Sequence, residues 1–386
     1  MTAESKGGRK VVLFANTDWY LWNFRRSLAV AMQAAGYDVL LVSPPGDYGA
    51  KFAALGLRWL PLAMDRRSLN PLREVGVLWR LVRLLRRERP ALVHGFTVKC
   101  AVYGALAARI AHVPARVHAV AGMGYVFSSG DLKARLLRKP VRALLRLALG
   151  GKSTRLILQN PDDVALFKHA GLADARKIRL IRGSGVDCAR FQPHAGSTDG
   201  SLRVLLAARL LWDKGIAEYV AAARALRARF PQVRFLLAGS PDPGNPAAVD
   251  VGEVQGWVRE GVLEWLGHVD DMAALFASVD AVVLPSYYRE GTPKSLIEAA
   301  ACALPLVTCD VPGCREVVTD GVDGLLVPPR DTAALAAAIA RLVESAELRQ
   351  RLGAAARVKA LAEFDERIVI DRTLAVYHEL LPDLTP

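Results

Sequence analysis

Two carboxylates eight residues apart, Glu290 and Glu298, frame the most informative stretch of this chain. Between them run Gly291, Thr292, Pro293, Lys294, Ser295, Leu296 and Ile297. Thr292 is a residue type that caps helices, and Pro293 suits a first helical turn because it has no N–H to leave unpaired. The segment predicts a loop presenting a helix N-terminus, with free amides and partial positive charge. A helix starting near Pro293 puts Glu290 at its mouth and Glu298 between one and two turns in. Amides suit anions and acids suit hydroxyls, so the set fits a sugar joined to a diphosphate. The same residues would also make an ordinary surface loop and capped helix.

A second group lies upstream. Arg209 and Lys214-Gly215 follow the apolar run 202–208. Two cations, with a glycine that permits close approach, could hold a diphosphate. An arginine and a lysine in a loop are otherwise simply solvated. No D-x-D occurs in the chain, so a metal-bridged diphosphate is not indicated. Arg209 with Lys214 would then supply the neutralising charge.

These groups need a scaffold, and the hydrophobic runs supply one. Strand patterns recur at 9–15, 37–43, 91–96, 116–121, 156–159 and 178–181, then at 202–208, 233–238, 262–267, 281–285 and 304–309. Helical patterns alternate with them, including 23–35, 72–88, 100–111, 216–229, 271–277 and 293–302. Strand–helix alternation predicts parallel sheets with right-handed crossovers. The reading is α/β, with two doubly wound Rossmann-like domains. The first spans 1–186, a polar linker 187–200, and the second 201–386, whose last helix could pack back on the first. No G-x-G-x-x-G follows the first strand, which argues against a nicotinamide or flavin dinucleotide. A polar and aromatic loop, Asn16 to Trp22, stands there instead, suited to acceptor recognition or to plain aromatic packing. His94 and His118 fall within strands, where a histidine is more often structural than catalytic.

Charge is divided. Residues 1–186 carry 31 Lys+Arg and 11 Asp+Glu, against 20 and 27 in residues 187–386. Only the first half suits an extended anionic partner. No nucleic-acid module is recognisable, so an anionic membrane face is the better candidate. The segment 131–149 reads as a basic amphipathic helix bent by Pro140, fit for a membrane interface or for packing on its own sheet. No apolar run is long enough to span a bilayer. The N-terminus carries no signal-peptide segment, and five unpaired-looking cysteines suit a reducing compartment. The expected location is cytoplasmic, peripheral on the inner face of the cytoplasmic membrane.

Taken together, Arg209…Lys214-Gly215, Gly239-Ser240, Gly267-His268-Val269, Arg289 to Glu298 and the run 321–328 resemble the retaining family 4 glycosyltransferases of GT-B fold, whose two domains face a central cleft. Glu290 and Glu298 match that family's E-x7-E signature. The first half, through Asn16…Asn23-Phe24-Arg25 and the turn 122–127, is similar to the bacterial branch acting on polyprenyl-diphosphate-linked saccharides. The resemblance implies a UDP-sugar donor, a lipid-linked acceptor, retention at the anomeric carbon and no metal or other cofactor. It implies catalytic roles for Glu290, Arg209 and Lys214: Glu290 on the donor-sugar hydroxyls, the two cations on the leaving diphosphate. It places Glu298 on the ribose, Gly239 and the backbone near Val269 at the base region, and Ser240 in the donor site. Gly291, Thr292, Pro293, Lys294, Ser295 and Leu296 complete the implied donor site. Asn16, Thr17, Trp19, Arg25, Gly124 and Tyr125 form the implied acceptor site. The chain departs from many members in having Asn16-Thr17 for a Gly-Gly loop, and Ala121 where histidine is common. Other readings are a UDP-sugar epimerase or transferase with a soluble acceptor, and a non-catalytic membrane-surface protein.

Overall fold

The computed structural model describes the backbone of residues 10–65, 68, 70–120, 132–194, 201–242 and 244–382, and the side chains of these except 132–138. The chain forms two compact units, Met1–Ser184 with Arg367–Pro386, and Gly185–Glu366.

The first unit runs β1 (Lys10–Phe14), α1 (Asp18–Ala34), β2 (Asp38–Ser43), α2 (Gly49–Ala53), β3 (Arg58–Pro61), α3 (Pro71–Glu88), β4 (Leu92–Phe96), α4 (Thr97–Ile110), β5 (Ala115–Val120), α5 (Leu132–Ala148), β6 (Thr154–Leu158), α6 (Pro161–His169) and β7 (Ile178–Leu180). Its sheet is parallel, in the order β3-β2-β1-β4-β5-β6-β7. Strand alternation feeds both faces. Val11 and Leu13 of β1 join α1, α2 and the C-terminal helix Glu366–Leu380 in one core, while Val12 and Phe14 join α3 and α4 in another. The C-terminal helix is tied down by Tyr377 Oη to His94 Nδ1 at 2.7 Å, Tyr37 Oη to His378 Nε2 at 2.9 Å, and Arg155 Nε donating to Glu379 at 2.9 Å.

The second unit runs β8 (Leu202–Ala207), α7 (Ile216–Arg227), β9 (Val233–Ala238), α8 (Val251–Arg259), β10 (Glu264–Gly267), α9 (Met272–Ala277), β11 (Ala281–Leu284), α10 (Lys294–Ala301), β12 (Leu306–Cys309), α11 (Cys314–Val317), β13 (Leu325–Val327), α12 (Thr332–Glu344) and α13 (Ala346–Lys359). Its strands follow the order β10-β9-β8-β11-β12-β13. Both sheets reverse direction of growth beside their first strand, between β1 and β4 and between β8 and β11. In doubly wound sheets that switch point, at the carboxyl ends of the strands, is where ligands bind.

Three boundaries differ from the sequence expectation. α1 begins at Asp18, not Asn23, because Thr17 caps it: its hydroxyl accepts from Tyr20 N at 3.0 Å. The expected loop of aromatics is thus mostly helix. The linker does not begin at 187. Cys188 and Phe191 are buried in the second core, and Arg357 donates to the Phe191 carbonyl at 2.7 Å. Thr292 does not cap α10; Pro293 occupies the cap position and Lys294 opens the helix. The short strands β3 and β13 carry too few residues to show a period, and the sequence reading passes over them.

The basic segment 131–149 contains α5, with Pro140 inside it. Leu145, Ala148 and Leu149 pack into the unit's own core, and Arg146 Nε donates to the Gly171 carbonyl at 2.7 Å. Its last turns are therefore fixed to the sheet, with Leu144 and Leu147 left exposed.

Candidate functional site

The loops after β8 and β11 flank the second switch point, and they meet. Gly215 makes this possible. Its φ is 76°, and a Cβ there would lie 2.1 Å from the Pro285 carbonyl oxygen. Glycine alone tolerates both the left-handed backbone and the contact. The preceding turn docks through its main chain: the Asp213 carbonyl accepts from Tyr287 N at 3.1 Å and Tyr288 N at 3.3 Å.

This docking carries Lys214 to Glu290. The ammonium bonds the Glu290 carboxylate, and both side chains are largely buried. Ser286 Oγ sits 2.8 Å from the same carboxylate oxygen and 3.1 Å from the Asp213 carbonyl. Lys214 also faces the Tyr288 ring at 5.8 Å. Beneath the Glu290 loop lies Gly313, where a Cβ would stand 2.1 Å from the Gly291 carbonyl oxygen and 2.7 Å from that of Glu290. Ser286 and Gly313 are absent from the sequence reading. A buried hydroxyl and a crowded glycine leave no local pattern; only the tertiary approach of the two loops exposes their roles.

Arg209 sits on the other side of the β8 loop and pairs with Asp242, Nη1 to Oδ2 at 3.0 Å. Leu210 and Pro241 bridge there, and Leu210 N donates to the Ser240 carbonyl at 3.1 Å. Gly239 is held by its amide on the Gly267 carbonyl at 2.7 Å and by Trp265 Nε1 on its own carbonyl at 2.9 Å. With φ of 142° and the Ala208 carbonyl 1.8 Å from a virtual Cβ, no other residue fits. Val269 follows β10, half-buried.

α10 is anchored by Leu296 and Ile297, both fully buried in the second core. Each such side chain stabilises its placement by about 1.5–3 kcal/mol. The sequence reading put Leu296 in the donor site. Its side chain faces the core instead, so it can offer only its backbone amide. The first-turn amides, those of Ser295 and Leu296 among them, have no intrahelical acceptor. Glu298 is buried on the same helix, with Lys294 Nζ 3.6 Å from Oε1. Burial pushes its carboxyl above the ordinary range, against the opposing charges of Lys294 and Arg190.

In the first unit, Asn16 and Thr17 end the β1 loop and Trp19 is half-exposed on the first turn of α1. Arg25 is buried, its guanidinium carbon 4.4 Å from the Phe96 ring centre. Gly124 and Tyr125 lie outside the described residues. His118 is fully buried and its imidazole is pushed down to about 3 by burial and the Arg116 charge. Among the described residues no group of three or more His, Cys, Asp or Glu stands where it could hold a metal ion, and all five cysteines are buried thiols.

Comparison with known proteins agrees with this division. Residues 10–160 match the model of the "Glycosyl transferase 4-like" family and residues 201–345 that of "Glycosyl transferases group 1". A Campylobacter jejuni N,N'-diacetylbacillosaminyl-diphospho-undecaprenol alpha-1,3-N-acetylgalactosaminyltransferase is 28% identical over 94% of this chain and 97% of its own. A Mycobacterium tuberculosis glycogen synthase is 29% identical over 91% of this chain and 88% of its own. Among solved structures, a sucrose-phosphate synthase from Thermosynechococcus elongatus superposes with a TM-score of 0.80 at 23% identity, covering 97% of this chain and all of its own. Anabaena HepE in complex with UDP gives 0.76 at 19%, covering 96% and 100%. At these identities the superpositions speak for the fold.

Proposed function

The chain belongs to the glycosyltransferases of the group 1 and 4-like families, built as a GT-B pair of doubly wound domains, and from that premise we propose that it moves a hexose or N-acetylhexosamine from a UDP-sugar to a polyprenyl-diphosphate-linked saccharide, with retention and without a metal. One observation carries the donor half of this reading: Lys214 and Glu290 meet at the switch point of the second sheet. Lys214, joined by Arg209, would neutralise the charge that develops on leaving UDP, and the first-turn amides of α10 would add to it. Glu290, fixed by Ser286 and Lys214, would take the donor-sugar hydroxyls, and Glu298 the ribose. Front-side attack lets the leaving phosphate oxygen accept the proton of the incoming hydroxyl, so no protein base is required.

The acceptor half rests on the Campylobacter relative's name and on the surface of the first unit. On α3, Leu72, Val75 and Trp79 are 85%, 51% and 49% exposed. At 100° per residue they fall with Arg83 and Arg86 within roughly 80° of arc. Exposed apolar side chains with an interfacial tryptophan and arginines suit the headgroup boundary of an anionic bilayer. No helix among the described residues is long and apolar enough to cross one. Peripheral attachment to the inner face of the cytoplasmic membrane fits both features.

The similarity to a glycogen synthase favours a second reading, a soluble saccharide acceptor. Mass spectrometry of products from a panel of UDP-sugars separates the two. A mass increment of one hexose or one N-acetylhexosamine on a prenyl-diphosphate saccharide, absent from the matching free saccharide, is expected. Transfer to the free saccharide alone would refute the lipid-linked acceptor.

A further inference from the structure

Among the described residues, the first unit holds a buried cation that no acid neutralises. Arg25, about two turns into α1, is 5% exposed. Among the described residues its hydrogen-bond partner is the Tyr20 hydroxyl, 3.2 Å from Nη2, and its Nε has none. The guanidinium instead lies over aromatic rings, 4.4 Å from Phe96 and 5.7 Å from Tyr20. Charges this deep are ordinarily paired, because desolvation costs more than stacking returns.

A second orphaned group shares the Phe96 ring. The His94 imidazole centre is 4.0 Å from that of Phe96. Its Nδ1 meets the Tyr377 hydroxyl, and its buried Nε2 has no partner among the described residues. Burial and the Arg25 charge keep His94 neutral, and burial keeps the Tyr377 phenol protonated. If Tyr377 donates to Nδ1, Nε2 carries the proton and faces inward as a donor. His118 is not part of this group. Strand alternation puts Val117 and Ala119 on the Phe96 face, and His118 on the other, beside Gly95.

The position is the switch point of the first sheet. Arg25 follows β1, and Phe96 ends β4, its neighbour across the reversal. The next residue, Thr97, has φ of 72°, a strained conformation for a β-branched side chain and one that gathers at ligand sites.

We propose that Arg25 and His94 Nε2 form a binding site for a phosphate-type oxyanion, which supplies the missing counter-charge. That the anion is the acceptor's diphosphate rests on the function proposed above; the site itself does not. The test is calorimetric titration of the full chain with inorganic pyrophosphate and with farnesyl diphosphate, in a Lys214→Ala background that removes the cation of the other unit. We expect Arg25→Met to weaken pyrophosphate at least tenfold, with a thermal midpoint in anion-free buffer no lower than that of its parent. Farnesyl diphosphate binding tighter than pyrophosphate would identify a lipid source, and equal binding a free diphosphate. Pyrophosphate bound equally well with and without Arg25 would overturn the site. A check that needs no variant is nitrogen NMR of the wild-type histidines. Pyrophosphate should move the His94 ring resonances and leave those of His118 in place; the reverse would also overturn it. A separate titration with UDP reports on the donor site alone.

Discussion

Lys214 and Glu290 stand 76 residues apart in the chain and bond to each other across the switch point of the second sheet. The contact joins the loop after the first strand of that unit to the loop after its fourth. Each cation expected to hold a diphosphate is thereby held by an acid, Lys214 by Glu290 and Arg209 by Asp242. Such pairing keeps the ammonium placed, and a diphosphate must outcompete a carboxylate to take it over.

Gly215 sets this placement, so Gly215→Ala should act at a distance. The methyl group would meet the Pro285 carbonyl in a left-handed backbone. Strain and overpacking together should cost about 2–4 kcal/mol. Thermal unfolding of the variant should shift down, and its affinity for UDP should fall with it. An unchanged midpoint would show that the two loops are not docked as described.

Glu298 makes stability depend on pH in a definite direction. Its carboxyl is raised from 4.5 by burial. Below about 4.5 the group is protonated in folded and unfolded chains alike. As pH rises through the raised value, the unfolded chain gains more from ionisation, and folded stability falls. Glu298→Gln escapes this loss. Denaturant titrations from pH 4.5 to 7.5 should find the variant gaining on the wild type as pH rises, while its UDP affinity drops. A difference independent of pH would contradict the assignment.

The C-terminal helix belongs physically to the first unit. Val369, Val376 and Tyr377 fill its core, and Glu379 bonds Arg155 and Arg179. Those salt links hold the Glu379 carboxyl low, Arg179 first. Ending the chain at Glu366 removes three buried apolar side chains, about 5–9 kcal/mol by burial, against total stabilities of about 5–15 kcal/mol. Hydrogen exchange should show β4 and β5 losing protection while β8 and β11 keep theirs. Protection unchanged in β4 would show the helix to be dispensable.

The α3 face should govern attachment to anionic vesicles. Leu72→Ser with Trp79→Ser should lower vesicle partitioning about tenfold, since each removes interfacial apolar area. Added salt should weaken what remains, through Arg83 and Arg86. Equal sedimentation of variant and wild type with the vesicles would move the contact elsewhere.

The strand pattern made both doubly wound units legible, because fully buried parallel strands such as 281–284 read as unbroken apolar runs. The Glu290–Glu298 spacing and Lys214-Gly215 were legible for a different reason: loop chemistry concentrates in short segments. What escaped was set by tertiary approach. Nothing local distinguishes Gly313 from any loop glycine, or Asp242 as the partner of Arg209. Thr292 looked like a cap, but the cap position fell on Pro293. The family resemblance puts Leu296 in the donor site, although the helical period turns its side chain inward. Arg25 was read as an acceptor residue; its burial without an acid could be seen only in the folded chain.

The most direct test of the account is calorimetric titration of UDP in the presence of EDTA, with the wild type and with Lys214→Ala. If side-chain cations rather than a divalent ion hold the diphosphate, UDP binds the wild type in chelator and about a hundredfold, or about 2.8 kcal/mol, more weakly once Lys214 is gone. Binding that requires added metal, or that is indifferent to Lys214, would contradict it.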